Sequence, residues 1–201
     1  MIQTKIQLLP AEMELVSSPQ IILTKNAILQ KIKSFLEALQ LKQLELLKQY
    51  SSAFPEEVLK ISPKISRGEN YKGLPWLVLD NPRHFQHNNI FAIRTMFWWG
   101  NFFSITLHLS GKYKSDLLKN SETLSLLKKN EFYIYAGQKE WEHDFDPAAY
   151  KKISAATIDE LEKIFSENNF LKLAIKFPID SLETIEDKLC RNYELLLKCF
   201  C

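Results

Sequence analysis

A twenty-residue apolar run at positions 90–109, IFAIRTMFWWGNFFSITLHL, constrains the fold more than any other part of the sequence. The run is long enough to suggest a membrane span, but Arg94 alone would cost about 2.5–3.5 kcal/mol near a bilayer centre. It is rich in aromatic and β-branched residues and is divided by Gly100-Asn101, a pair that suits a two-residue type I′ or II′ turn. The sequence therefore predicts a β-hairpin with strands at 90–99 and 102–109.

A two-residue turn fixes which side chains share a face of this hairpin. The face predicted to join the core carries Trp98, Met96, Arg94 and Ala92 with Phe103, Ile105, Leu107 and Leu109. The other face carries Trp99, Phe97, Thr95 and Ile93 with Phe102, Ser104, Thr106 and His108. Rings, hydroxyls and an imidazole are typical of a ligand pocket, although a second face covered by helices is the open alternative. Because Arg94 falls among apolar neighbours, we expect it to be buried and paired with Asp80 or Glu69.

The length and charge of the chain exclude several classes of protein. A chain of 201 residues is enough for a single globular domain, 1–201, and its first sixty residues are predicted to be mostly helical. A net charge of +2 without a clustered basic patch argues against a nucleic-acid or membrane partner. No basic stretch and apolar segment follow Met1, so we expect no signal peptide and a cytoplasmic location. The three cysteines all fall near position 200, which predicts neither a disulfide framework nor a zinc site, and no cofactor motif is present.

Apolar periodicity predicts the remaining elements. Helices are expected at 24–50, as one helix or as two with a break near Gln40, and at 116–129 and 181–200. Another helix is expected to begin at Thr157-Ile158-Asp159-Glu160, which has the spacing of a capping box. Further strands are expected at 74–80, 131–136 and 170–177, with 63–73 as a loop and a break at Asn81-Pro82. This order predicts an α+β fold with a mainly antiparallel sheet of about five strands packed against amphipathic helices.

Arginine usage indicates a candidate site. The chain has only four arginines, and Arg67, Arg83 and Arg94 fall in the same stretch as three of the four histidines and three of the four tryptophans. A guanidinium group binds carboxylate or phosphate in a bidentate way that lysine cannot imitate. The sequence therefore predicts a pocket for a small anionic ligand or a peptide segment, lined by Arg67, Tyr71, Trp76, Arg83, His84, Trp99 and His108. An anion is expected at Arg67, Arg83 and His84 if the loop at 66–71 folds back over the sheet.

Two alternatives remain open. The first is a hydrolase in which His84 or His108 acts with Asp80, and an arginine stabilises the developing charge. The second is an interaction protein that forms a homodimer through the helix at 24–50. The spacing of the histidines gives no third ligand, so no metal site is predicted. The segment Trp141-Glu142-His143-Asp144 is interpreted as a polar surface loop with a half-buried tryptophan.

Two segments carry a resemblance to known proteins. They are ISRGENYKGLPWLVLDNPRHF at 65–85 and FAIRTMFWWGNFFSITLHLSG at 91–111, and the run RTMFWWGN is the most distinctive part. Together they resemble bacterial conserved hypothetical proteins that carry a domain of unknown function. The resemblance implies a small bacterial cytoplasmic protein, and it implies no catalytic or binding residues.

Overall fold

A computed structural model describes residues 5–118 and 121–201, and it describes the backbone alone at 115, 116, 118 and 121. The helices in this part of the chain are Pro10–Ser17 (α1), Pro19–Gln49 (α2), Glu56–Leu59 (α3), Lys112–Leu118 (α4), Ser121–Lys129 (α5), Ile158–Glu167 (α6) and Ile185–Lys198 (α7). The strands are Lys64–Tyr71 (β1), Leu74–Gln86 (β2), Asn89–Trp98 (β3), Phe102–Ser110 (β4), Tyr133–Tyr135 (β5), Tyr150–Lys152 (β6) and Phe170–Pro178 (β7). None of these helices is both long and apolar enough to cross a bilayer.

The strands form one sheet in the order β1-β2-β3-β4-β7-β5-β6. Every neighbouring pair of strands is antiparallel, and β1 to β4 follow one another as consecutive hairpins. The fold is therefore α+β with an antiparallel sheet, as the sequence predicts. The predicted number of strands, about five, is wrong, because the described residues form seven.

The two unpredicted strands lie at the edges of the sheet. β1 occupies a segment predicted to be a loop, and most of its residues are exposed or half-buried. β6 is three residues long and contains two exposed lysines. An edge strand can be held by backbone hydrogen bonds to one neighbour without burying an apolar face, so neither segment shows the alternation that identifies a strand.

The hairpin between β3 and β4 has a three-residue loop rather than the predicted two-residue turn. Trp98 lies opposite Phe102, and the backbone N–H of Asn101 donates to the carbonyl of Trp98 at 3.1 Å. Gly100 has a φ of +72°, so the expectation of positive φ at this glycine is confirmed. The extra loop residue shifts the register by one position, which moves every β4 side chain to the opposite face relative to β3.

The observed register corrects both predicted faces of the hairpin. One face carries Phe91, Ile93, Thr95 and Phe97 with Phe103, Ile105, Leu107 and Leu109. The other carries Ala92, Arg94, Met96 and Trp98 with Phe102, Ser104, Thr106 and His108. The first face is therefore apolar except for Thr95, whereas the second mixes apolar residues with Arg94, Ser104, Thr106 and His108.

The helices cover the first of these faces, here called the helical face. α2 runs unbroken through Gln40, where a break was an alternative, and places Leu36 and Leu39 against the sheet. α7 packs beside it through Leu189 and Leu196, which are fully buried. The helix predicted at 116–129 is instead α4 and α5, and positions 119–120 lie outside the described residues.

A bulge in β2 decides where its polar side chains lie. The strand continues past the predicted break at Asn81-Pro82, because Asp80 pairs with Arg94 and the next paired residues are Arg83 and Ala92. One extra residue in β2 breaks the alternation, and proline is tolerated there because a bulge leaves a backbone position without a ladder partner. Asp80 consequently points to the face opposite the helices, whereas His84, opposite Phe91, points to the helical face.

The sheet face opposite the helices is covered by residues 136–149, which join β5 to β6 without regular secondary structure. We call this segment the covering loop and the face beneath it the loop-covered face. Phe145 of the loop stacks on Tyr150 with a ring-centroid distance of 4.6 Å and packs edge-on against Phe102 at 5.2 Å. The aromatic contacts anchor the loop on the sheet.

Candidate functional site

The loop-covered face contains a largely buried ion pair between two adjacent strands. Arg94 Nε donates to Asp80 Oδ1 at 2.8 Å and Nη2 donates to Oδ2 at 3.0 Å, so the pair is bidentate. The two side chains are 19% and 8% exposed. The predicted pairing of Arg94 with Asp80 is confirmed. Its predicted place on the apolar core face is wrong, because the shifted register puts Arg94 on the loop-covered face.

His143 extends this network from the covering loop. Its Nε2 lies 3.1 Å from Arg94 Nη1, and its backbone N–H donates to the Tyr71 hydroxyl at 2.7 Å. Burial, followed by the nearby charges of Lys172 and Arg94, holds the pKa of His143 well below its usual value. A neutral imidazole is the form that can accept a hydrogen bond from a guanidinium group. The interpretation of this segment as a surface loop is therefore wrong for His143, although Trp141 is half exposed.

Lys172 lies beside His108 on the loop-covered face and is fully buried. Its Nζ donates to the carbonyl of Glu140 at 3.1 Å and to the carbonyl of Glu142, and it lies 4.5 Å from the centroid of the Tyr135 ring. Burial, followed by the charge of Arg94, lowers the pKa of Lys172 to about 7. The amine therefore fastens the covering loop to β7 through the loop's own backbone.

A histidine–glutamate pair lies at the border between this buried network and solvent. His108 Nε2 is 2.9 Å from Glu140 Oε1, and the two side chains are 3% and 32% exposed. Burial lowers the pKa of His108 to about 3, and the charges of Lys172 and Arg94 act in the same direction. An uncharged imidazole beside an ionised carboxylate must carry its proton on Nε2, so His108 donates to Glu140 at neutral pH. Burial also raises the pKa of Glu140.

Glu140 faces an open cleft of about 420 Å³, which we call the Glu140 cleft. Its lining consists of His87, Asn88, Ile90, Ser110, Gly111, Glu140, Asn169 and Phe170. Phe170 packs against His108 at a ring-centroid distance of 5.9 Å, so the pair and the cleft share a wall. The volume lies in the range of small-ligand sites, and a carboxyl with a shifted pKa in a cleft is typical of functional sites.

A glycine allows one wall of this cleft to form. Gly111 follows β4 with a φ of +59°, and a Cβ there would lie 2.1 Å from the carbonyl oxygen of Asn88. The same Cβ would lie 2.3 Å from Oδ1 of Asn89, which accepts a hydrogen bond from the backbone N–H of Lys112. Any side chain at position 111 would therefore push the turn after β2 away from β4 and open the cleft.

Three of the predicted ligand-lining residues do not come together. Arg83 donates from Nε to the carbonyl of Ser62 at 2.7 Å. His84 is buried on the helical face, where Nδ1 lies 3.2 Å from the carbonyl oxygen of Glu57. Arg67 is exposed in the edge strand β1, which does not fold back over the sheet. The structure therefore gives no common anion site to Arg67, Arg83 and His84.

The remaining predicted residues are divided between two ends of the sheet. Tyr71 lies on the loop-covered face, where Trp98 Nε1 donates to its carbonyl at 3.2 Å. The indole of Trp76 lies over Gly68, since a Cβ at that glycine would meet it at 2.6 Å. Trp99 is at the hairpin tip beside α2. Of the seven predicted residues, His108 is the one in contact with the Glu140 cleft.

A second cleft, of about 430 Å³, lies at the hairpin tip beside β7, and we call it the lysine cleft. Lys176 Nζ lies 5.4 Å from the centroid of the Phe102 ring and 5.2 Å from that of Phe145. Lys152 lies over Tyr133 and is 3.4 Å from a carboxylate oxygen of Glu131. Two lysines and aromatic rings in one cleft are suited to an anion with an apolar body.

Comparisons with protein-family models, curated proteins and solved structures find no match to this chain. The resemblance to bacterial conserved hypothetical proteins therefore stays a prediction. Among the described residues, no group of three or more histidines, cysteines, aspartates and glutamates has the geometry to hold a metal ion.

Proposed function

We propose that the protein binds a small ligand in the Glu140 cleft and that the ligand presents an ammonium or another hydrogen-bond-donating group to Glu140. The observation that supports this proposal most strongly is the Glu140 carboxylate, which His108 orients by one oxygen while the side chain faces open space. The buried Lys172 also donates to the backbone carbonyl of Glu140, so both the backbone and the side chain of this residue are held in place. A rigid charged group at the mouth of a cleft binds with little loss of side-chain entropy.

The lining of the cleft favours a donor over an anion. None of its eight described lining residues is lysine or arginine, and one of them, Glu140, carries a carboxylate. The amides of Asn88 and Asn169 offer both donors and acceptors, and Phe170 offers an aromatic face to a cation. The expectation of an anion depended on Arg67 and Arg83, which lie elsewhere.

Binding is favoured over hydrolysis by the partners of the candidate catalytic groups. Asp80 is engaged by both oxygens with Arg94, so it does not orient His84 or His108. An imidazole with a pKa of about 3 is a weak base at neutral pH, which makes His108 a poor general base.

Benzylamine, benzyl alcohol and benzoate provide a matched set of probes for the Glu140 cleft, because they share a ring and differ in charge. We expect calorimetric titration to detect benzylamine binding to the wild-type protein. In Glu140→Gln, which keeps the shape of the side chain, the affinity should fall by about tenfold or more, since an ion-pair partner is lost. The affinity of the wild-type protein should also fall as acidification protonates Glu140.

Glu162→Gln is the control for this experiment, because Glu162 is exposed on α6. It should leave the affinity for benzylamine unchanged. Equal binding of benzylamine by Glu140→Gln, or absence of binding by the wild-type protein, would contradict a ligand site at Glu140.

A small anionic ligand is the second candidate, in the lysine cleft. It is supported by the position of Lys176, whose amine lies against the rings of Phe102 and Phe145. This amine makes no ion pair with any carboxylate whose side chain is described. A ring-bearing anion such as benzoate could contact Phe102 while its carboxylate lies between Lys152 and Lys176.

Benzoate should therefore bind weakly to the wild-type protein, and Lys176→Gln should reduce its affinity by about threefold to tenfold. The binding should weaken as salt concentration rises, because the lysines are exposed. Lys31→Gln, at an exposed position on α2, is the control. If Glu140→Gln rather than Lys176→Gln altered benzoate binding, the anion would lie in the other cleft and this second proposal would be wrong.

A further inference from the structure

Apolar side chains are exposed mainly at one end of the molecule. Fifteen large apolar residues are exposed in the part of the chain that the structure describes, and ten of them fall between positions 6 and 28. These ten are Ile6, Leu8, Leu9, Met13, Leu15, Val16, Ile21, Ile22, Leu23 and Ile28. We call them the N-terminal apolar surface, and such a concentration is typical of an interaction site.

This surface belongs to helices that extend beyond the core. α1 contains no buried residue, and the first buried residue of α2 is Leu29. From there onward the apolar stripe of α2 lies against the sheet, as at Leu36 and Leu39. Most of the segment of α2 that the sequence analysis expected to form a dimer therefore packs against the sheet. The apolar side chains in the first ten residues of α2, by contrast, are exposed.

A groove lies beside the start of α2. It has a volume of about 500 Å³, and its apolar walls come from Ile21 and Ile28 of the helix and from Leu74, Pro75 and Trp99 of the sheet. Lys25, at its margin, is already paired with Glu69 of β1 at 2.7 Å. A helix of similar apolar character could therefore enter the groove without separating an ion pair.

The composition of residues 5–28 identifies the kind of partner. The segment carries two lysines and two glutamates, so its net charge is zero, and it contains no aromatic residue or arginine. A helix that lies on a membrane surface or binds nucleic acid is normally basic, and membrane-surface helices carry aromatic residues. Depletion of charge is instead a property of the centre of protein interfaces.

The exposed area fits an interface between two copies. Full burial of one large aliphatic side chain removes about 60–120 Å² of apolar surface, so ten half-exposed side chains offer on the order of 500 Å² per copy. A specific dimer buries about 800 Å² per partner, of which about 65% is apolar. We propose that the N-terminal apolar surface is the interface of a symmetric homodimer, in which α1 of each copy lies in the groove of its partner.

The full-length chain should therefore have twice the 23.5 kDa monomer mass in light scattering after gel filtration. Ile22→Glu and Val16→Glu should each raise the dimer dissociation constant by about a hundredfold or more, since each places an unpaired charge in the interface. Leu41→Glu is the matched control, because Leu41 is exposed on the same helix outside the surface. It should leave the dimer intact, and circular dichroism should show all three variants folded.

A wild-type protein that is monomeric at millimolar concentration would overturn this proposal. Equal effects of Leu41→Glu and Ile22→Glu would also overturn it, as would a monomer that sediments with phosphatidylserine vesicles. The interface lies at the hairpin tip, whereas the Glu140 cleft lies at the opposite end of β3 and β4. Ligand binding and dimer formation can therefore fail independently.

Discussion

Asp80→Asn will lower the free energy of unfolding by about 3–5 kcal/mol, because it leaves the guanidinium group of Arg94 buried without its counter-charge. Both oxygens of Asp80 accept hydrogen bonds from Arg94, and the remaining Nη1 contact is to a neutral His143. The ring of Trp141, in the covering loop, lies 5.6 Å from the guanidinium carbon of Arg94 and limits access of water to the unpaired charge. Urea unfolding followed by tryptophan fluorescence will measure the change.

The double variant Asp80→Asn with Arg94→Met tests whether the loss of stability in Asp80→Asn comes from the unpaired charge of Arg94. It should be more stable than Asp80→Asn alone, because replacing a whole buried pair by less polar groups is often close to neutral. Glu37→Gln removes the exposed ion pair with Lys33 and serves as the control, with an expected loss of about 0.5 kcal/mol or less. A loss below 1 kcal/mol for Asp80→Asn, or a double variant less stable than the sum of the single changes, would show that the pair is not buried as described.

Acidification from pH 6.5 to pH 4.5 will destabilise the protein, with about 2 kcal/mol of the loss coming from His108. The pKa of this side chain is about 3 in the folded protein and 6.5 in its ordinary state. Between these values the unfolded chain binds a proton that the folded chain does not, so stability falls as the pH falls through 6.5 towards 3. The lowered pKa of His143 also makes the protein less stable as the pH falls, whereas the raised pKa of Glu140 partly opposes this loss of stability.

His108→Gln should remove this contribution and flatten the dependence of stability on pH. Urea midpoints at pH 6.5, 5.5 and 4.5 give the comparison, and His87→Gln, at an exposed position, is the control. A His108→Gln profile parallel to that of the wild-type protein would mean that His108 is protonated or solvated in the folded state.

The sequence predicts the core of the fold because periodicity is strong there. The apolar runs of β3, β4 and β7 and the stripe of α2 identify those elements, and a buried arginine near Asp80 predicts an ion pair. The register between β3 and β4 is harder to predict from the sequence, because one additional residue in the loop around Gly100 moves the side chains of β4 to the opposite face relative to β3. The bulge at Asn81-Pro82 has a similar effect and separates His84 from Asp80.

Most of the candidate site is formed by tertiary contacts that local patterns do not contain. In the sequence of β7, Lys172 alternates with apolar residues, and this pattern is equally consistent with a lysine that faces solvent. The sequence therefore contains no signal that Lys172 is buried. Glu140 and His143 belong to a segment without periodicity, and they reach His108 and Arg94 after a separation of 32 and 49 residues. The covering loop brings these residues to the sheet. The loop itself is fixed by the stacking of Phe145 on Tyr150 and by the hydrogen bond from the amine of Lys172 to its backbone.

Chemical-shift mapping with benzylamine tests the ligand site most directly. In the ¹⁵N-labelled protein, we expect saturable shifts at the amides of 87–90, 108–111, 140 and 169–170, which surround the Glu140 cleft. The same shifts should be absent in Glu140→Gln. Shifts confined to other surfaces, or a pattern unchanged in Glu140→Gln, would contradict the proposal that Glu140 and His108 form the binding site.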